Sequence, residues 1–427
     1  MIRILQYGET PNHTIFDRAL PGSGLEEAVA KIIAQVRRDG DCALFQLTEA
    51  FDHAKIDSLE VGREELEQAL KQIDPAFADI LRQAAENIRA FHKHQIRESF
   101  VVTDQPGVVL GQKVTPLERV GLYVPGGTAR YPSSVLMNAI PAKLAGVPEL
   151  VMVTPPSGGT IPAEILAAAC IAGVDRVFRI GGAQAIAALA YGTESVPKVD
   201  KIVGPGNAYV AEAKKQVFGQ VAIDMIAGPS EILVVADSAS DPQVVAADML
   251  SQAEHDCMAA AVLVTDSAVL AEQVCMELER QIPLLPRAEI ARASIDRNGK
   301  IIVAPDLSFA IQIANAIAPE HLELFVEEPF AYLEQVRNAG SIFMGRNCPE
   351  ALGDYWAGPN HTLPTLGTAR FSSPLSVDDF VKRSSFTFYT REALAQVAER
   401  VAYFAEQEGL SAHARSALSR IKKNNPE

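Results

Sequence analysis

The stretch Arg176-Val177-Phe178-Arg179-Ile180-Gly181-Gly182-Ala183-Gln184 decides the fold. A short, largely apolar run of strand type ends in a glycine pair, and a helix follows. The same unit recurs on both sides. Arg119 to Val124 runs into Pro125-Gly126-Gly127, Leu150 to Thr154 into Pro155-Pro156, and Lys201 to Val203 into Gly204-Pro205-Gly206-Asn207. Repeated strand-turn-helix units imply a parallel sheet with helices on its faces. Ligands of such sheets bind outside the carboxyl ends of the strands, where these turns lie. No turn completes a G-x-G-x-x-G pattern, because Tyr209 stands where the third glycine belongs. The glycines therefore fit plain tight turns as well as a nucleotide crevice.

A second α/β unit is split around this one. Ile232 to Ala236 is a fully apolar strand, and Asp241-Pro242 reads as a cap and first position of the next helix. Ile301 to Ala304 and Glu323 to Val326 read as further strands, with Phe309 to Ile317 helical between them. No residue-level internal repeat is visible. Residues 1 to about 20 read as an irregular arm. Helices are expected at Leu25 to Arg38, Asp41 to Glu49, Arg63 to Gln72 and Pro75 to Ile96. His92 and His94 are two apart on the last of these and so face different ways. After Pro374, a strand is expected at Ser384 to Thr390 and a helix at Glu392 to Gln407. Gly409 breaks that helix, and Ser411 caps a last one through Lys423. This piece is too small for its own core and is expected to pack on another subunit.

The chain has 427 residues, 48% apolar and 21% charged, enough for large cores. Its formal charge of -15 argues against nucleic acid as the main partner. The longest apolar stretch, Ile165 to Val174, is too short to span a bilayer, and the first residues lack a signal-peptide core. Cys42, Cys170, Cys257, Cys275 and Cys348 are scattered and odd in number, which favours reduced thiols in the cytoplasm.

Chemistry concentrates in a few stretches. Ser251-Gln252-Ala253-Glu254-His255-Asp256 closes a helix, and Gln252 and His255, three apart, share a face. The negative end of a helix favours a cation there. Pro319-Glu320-His321 precedes a strand, Gly353-Asp354 through Asn360-His361 is a glycine- and proline-bounded loop, and Glu408 to His413 crosses the helix break. Neutral imidazole and carboxylate without thiolate suit a catalytic divalent ion, zinc or manganese first. No H-x-x-x-H or H-E-x-x-H pair is present. Glu320 beside His321 offers an acid/base pair. Taken singly, Glu320 also fits a surface charge, His321 a strand-edge histidine and Asp354 a turn former.

Taken jointly, Gly204-Pro205-Gly206-Asn207, Ala227-Gly228-Pro229-Ser230-Glu231, Ser251 to His255, Pro319-Glu320-His321 and Gly353 to His361 resemble the histidinol dehydrogenase family. The resemblance runs from about Gly22 to the last helix. It implies an α/β fold of two incomplete Rossmann-like domains with parallel-rich sheets, plus small N- and C-terminal segments that pack on the partner subunit of a homodimer. The divisions it implies are an arm at 1-19, an α/β domain at 20-122 and 232-375 carrying most metal and catalytic residues, an inserted NAD-binding domain at 123-231, and a C-terminal segment at 376-427. The implied activity is NAD-linked oxidation of L-histidinol through L-histidinaldehyde to L-histidine, with one zinc per subunit. The family's zinc ligands fall on Gln252, His255, Asp354 and, from the partner chain, His413. Its acid/base pair falls on Glu320 and His321. Its substrate contacts fall on Ser230, the zinc ligands, His321 and Glu408, and its NAD contacts on Tyr123, Gln184 and Asn207. Trp356 and Pro359 depart from the expected loop, and Cys257 is not required; the small residues after it suggest packing. A related zinc- and NAD-dependent dehydrogenase of another small polar alcohol is the alternative. A nucleotide-binding scaffold without chemistry would not need Glu320, His321 and four ligand types.

Overall fold

The computed structural model describes residues 2–18, 24–126 and 130–421. Gly22, Gly127 and Lys423, which the sequence reading touches, lie outside these residues. Two compact units emerge: residues 1–95 with 117–380, and residues 96–116 with 381–427.

The first unit holds two all-parallel sheets. The five-stranded sheet runs in the order Arg176–Phe178, Glu149–Val153, Arg119–Tyr123, Lys201–Val203, Ala222–Ile223. Numbered along the chain, that order is 3-2-1-4-5, five strands of a doubly wound sheet. Its strands read as continuous apolar runs because helices bury both faces. The six-stranded sheet contains Lys300–Val303, Ala260–Thr265, Glu231–Ala236, His321–Phe325 and Ser341–Met344, the same 3-2-1-4-5 order, with Arg3–Gln6 added outside Lys300–Val303. The chain thus repeats a topology without repeating residues.

Two expectations change here. The arm at 1 to about 20 is not irregular throughout: Arg3–Gln6 is an edge strand, and Ile15 is fully buried. Arg3–Gln6 is four residues long and mostly exposed, too short to stand out in sequence. Residues 26–92, grouped from sequence with 232–375, instead cover the five-stranded sheet. Val29, Ile33 and Leu44 share a core with Val151 and Phe178, and Leu66, Leu81 and Ile88 share one with Val120 and Leu150. Amphipathic helices cover whichever apolar sheet face is open, and sequence periodicity does not say which. The division near 122 also cuts the strand Arg119–Tyr123, which belongs whole to the five-stranded sheet.

Local chemistry sets the helix ends. The helix Glu26–Asp52 is broken at Gly40, whose φ of 53° and ψ of -133° interrupt it as the glycine suggests. Glu194 holds the break by accepting the Asp41 N–H at 2.8 Å. Asp241 accepts the Gln243 N–H at 2.9 Å and starts the helix Pro242–Ala253 as its residue type predicts.

The second unit is an antiparallel sheet of Phe100–Val102, Val108–Pro116 and Val381–Tyr389, followed by helices Arg391–Gln407 and Ser411–Leu418. The C-terminal segment therefore takes residues 96–116 with it. Its helices bury Ala402, Ala405 and Ala414 against each other, while Phe388, Tyr403 and Phe404 stay exposed.

Candidate active site

The amino ends of the six-stranded sheet carry the reactive side chains. The central strand begins at Glu231 and its neighbour at His321. In a parallel α/β unit the helix C-termini return to this same edge, so the end of Pro242–Ala253 delivers Gln252 and His255 here. The carboxyl-end expectation concerns the sheet with the glycine turns; in this sheet the candidate residues gather at the amino ends. At its carboxyl ends Asp237 accepts from Arg346 at 2.8 and 2.9 Å and from the Glu327 N–H at 3.0 Å.

Glu320 and His321 are both buried, not a surface charge and an open strand edge. One residue brackets them: the Glu231 N–H donates to Glu320 Oε2 at 2.9 Å, and His321 Nδ1 donates to the Glu231 carbonyl at 3.0 Å. That hydrogen bond fixes the tautomer and leaves the Nε2 lone pair free. Burial lowers His321 to about 4, so the ring is neutral at ordinary pH. Burial pushes Glu320 well above the usual carboxylate range, and the nearby Glu231 charge adds to this.

The Gln252 carboxamide N–H donates to His255 Nδ1 at 2.9 Å. Its oxygen is buried with no hydrogen-bond partner. Burial keeps His255 low and neutral. Asp354 Oδ1 lies 3.2 Å from His361 Nδ1. Burial alone would raise Asp354, but the rings of His361, His321 and His255 outweigh it and hold it at about 2. Asp354 lies on the helix Glu350–Tyr355 and not in a loop as expected; the loop after it is tied to the helix Pro132–Leu144, where Asn360 donates to the Met137 carbonyl at 2.7 Å and His361 Nε2 sits 3.3 Å from Ser134 Oγ. Ser230, next to Glu231, is half-buried at the same edge.

Sequence reading missed Glu350. It lies four residues before Asp354 on the helix Glu350–Tyr355, a spacing that shares a face and was available as a signal. Its Oε1 stands 3.6 Å from His321 Nε2, and ligand atoms of His321, Glu350 and Asp354 lie within 4.8 Å of one another. Burial first, then the Asp354 charge, pushes Glu350 up to about 9.

Glu408 and His413 belong to the second unit, both exposed, with His413 in the first turn of Ser411–Leu418. Cys257 is half-buried and free, and its carbonyl accepts from Asn298.

At the five-stranded sheet the carboxyl-end rule fits the candidates. Tyr123 ends strand one and Gly204 follows strand four, which are neighbours where the strand order reverses. Tyr123 is buried, its hydroxyl accepts the Gly182 N–H at 3.1 Å, and burial pushes it up to about 12. Gln184 is buried on the helix Gly182–Tyr191. Asn207 caps Ala208–Val217 with its oxygen on the Tyr209 and Val210 N–H groups, leaving its amide N–H₂ outward. Gly204 has φ of 109° and packs against the Tyr123 carbonyl so closely that no side chain fits. A buried ion pair of Lys214 with Asp224 clamps this turn: Lys214 donates to the Gly204 carbonyl at 3.0 Å, and Asp224 accepts the Gly204 N–H at 2.7 Å.

The histidinol dehydrogenase family profile matches residues 18–421. A histidinol dehydrogenase of Syntrophotalea carbinolica is 58% identical over 94% of this chain and 94% of its own length. That of Methylococcus capsulatus is 55% identical over 99% of this chain and 98% of its own. The crystal structure of histidinol dehydrogenase from Elizabethkingia anophelis superposes with a TM-score of 0.94 at 36% identity, covering 100% of this chain and 99% of that one.

Proposed function

The chain belongs to the histidinol dehydrogenase family, oxidoreductases of histidine biosynthesis, and from that premise we propose that it oxidises L-histidinol through bound L-histidinaldehyde to L-histidine with NAD and zinc. The observation that carries the reading is the meeting of Gln252, His255, Asp354, Glu320 and His321 at one sheet edge.

The donor set fits the metal. Gln252 has an orphaned buried oxygen, burial lowers His255 and its histidine neighbours hold Asp354 ionised, and the proposed set contains no cysteine. Gln252, His255 and Asp354 would hold the ion, with His413 contributed by the partner chain. When bound there, zinc would supply orientation of the substrate. NAD supplies the hydride acceptor, and Tyr123, Gln184 and the Asn207 amide are its proposed contacts.

The chain's own residues move the protons. His321, neutral with Nε2 free, takes the hydroxyl proton of the alcohol and later that of the aldehyde hydrate. Glu320, in its carboxylate form, takes a proton from the water that attacks the aldehyde. Its raised affinity for protons makes it a stronger base than an exposed carboxylate once ionised. Ser230 and Glu408 would contact the substrate. Burial of the pair limits escape of the aldehyde.

Exposed Phe388, Tyr403 and Phe404 support a homodimer in which the second unit meets another subunit. Among the described residues no helix is long and apolar enough to cross a membrane. The five cysteines are free, which agrees with the reducing cytoplasm we propose. Turnover of L-histidinol with NAD, with and without a chelator, tests the reading. Rapid chelator-sensitive NADH formation is expected; none with histidinol, alongside turnover of another small amino-alcohol, would favour the alternative substrate.

A further inference from the structure

We propose that Arg18, in the N-terminal arm, is a positioning residue for the acid/base pair and acts through Glu231. The inference rests on the assignment of Glu320 and His321 just made.

Glu231 is the common reference of that pair, since its N–H holds Glu320 and its carbonyl holds His321. The peptide groups of residue 231 can only be as well placed as the residue itself. Its side chain is 7% exposed, and the residue opens the strand Glu231–Ala236 inside the sheet. Glu231 Oε1 lies 3.3 Å from Arg18 Nε, and Oε2 has no hydrogen-bond partner. Arg18 also donates through Nη2 to the Ile317 carbonyl at 2.7 Å, two residues before Pro319. It therefore ties the start of one strand to the approach of the next.

The arm around Arg18 is fixed for this task. Ile15 is fully buried, and the Lys300 ammonium donates to the carbonyls of Ile15 at 2.9 Å and Asp17 at 2.6 Å. Arg18, Lys300 and Glu231 line one cavity of about 570 Å³ at the amino ends of the strands. Removing the arginine leaves a buried carboxylate without its cation, a change that is strongly unfavourable. Residue 231 then shifts or takes up a proton, and both catalytic groups lose their reference. A displacement of about 1 Å at reacting groups can cost on the order of 10²-fold in rate.

The test uses full-length, metal-loaded Arg18→Met, Arg18→Lys and the double variant Arg18→Met/Glu231→Gln. The readouts are kcat and KM for L-histidinol and for L-histidinaldehyde, bound metal and melting temperature. Arg18→Met should lower kcat for both substrates by roughly 10–10²-fold, with KM and bound metal little changed. Arg18→Lys, which keeps the charge, should retain most of kcat. The double variant should recover much of it, because no buried charge remains unpaired. Wild-type kcat in Arg18→Met overturns the proposal, as does equal loss in the Lys and Met variants. If Arg18→Met fails to fold, Arg18→Gln replaces it in the same comparison. Glu320→Gln and His321→Asn are assayed alongside. Undiminished rates in those two would sink the acid/base assignment itself, whereas loss in them without loss in Arg18→Met sinks only the role of Arg18.

Discussion

His321 Nδ1 donates to the main-chain carbonyl of Glu231 at 3.0 Å, which leaves Nε2 as the ring's free lone pair. Glu320 Oε2 is 3.6 Å from the same Nδ1 but takes its own hydrogen bond from the Glu231 N–H. The two groups are held separately by one residue, Glu231.

That separation predicts a division of labour. Glu320→Gln should slow aldehyde oxidation far more than alcohol oxidation, while His321→Asn should slow both, each by roughly 10²–10⁴-fold where the residue acts. Single-turnover hydride transfer measured with each substrate decides it. Equal losses in both steps for Glu320→Gln would contradict the assignment.

The orphaned Gln252 oxygen beside His255 predicts a metal-dependent phenotype with an intact fold. His255→Ala should lose bound zinc and turnover while its circular dichroism matches the parent. Stoichiometric zinc with full activity in that variant would remove His255 from the ligand set.

Behind His321, Glu323 is pushed up to about 9 by burial and by Asp248, itself at about 6. A carboxyl whose folded value is raised above 4.5 stabilises the fold fully below its unfolded value and ceases to do so as pH rises through the folded one. Metal-free protein should therefore melt progressively lower from pH 5 to pH 9, apart from other titrations. Glu323→Gln should flatten that slope, and a slope unchanged in calorimetry would refute the assignment.

Lys214 and Asp224 are each 1% exposed and together clamp the Gly204 turn. Lys214→Met strands the buried carboxylate, an effect of about 3–5 kcal/mol in denaturant unfolding. It should also raise KM for NAD more than KM for histidinol, because the turn lies at the proposed dinucleotide crevice. A rise confined to histidinol would place the cofactor elsewhere.

Exposed Glu408 and His413 predict sites shared between subunits. In mixed dimers of His255→Ala with His413→Ala, one site would carry both defects and the other neither. Random pairing of an equal mixture should recover about a quarter of parental activity. Activity at the level of the single variants, in dimers verified by mass, would exclude sharing.

Much of this was legible along the chain. Apolar runs ending in glycine or proline marked the parallel strands, because strands buried on both faces carry few polar residues. Asp241-Pro242 and Gly40 marked helix ends through local hydrogen bonding and backbone freedom, which need no distant partner. The motifs around Gln252, Glu320 and Asp354 named the candidate site, and the family relation agrees with that resemblance. Tertiary structure alone decided what depends on residues far apart in sequence. The helices between 26 and 92 chose the five-stranded sheet, since amphipathicity specifies a buried face but not its partner. The candidate residues gather at the amino ends of the second sheet, while Asp237 and Arg346 pair at its carboxyl ends across 109 positions. Arg18 and Glu231 meet across a still longer separation, and nothing in either residue's neighbourhood announces it. Spacing reveals a shared helix face or strand edge; contacts closed by the winding of two sheets exist only once the chain has folded.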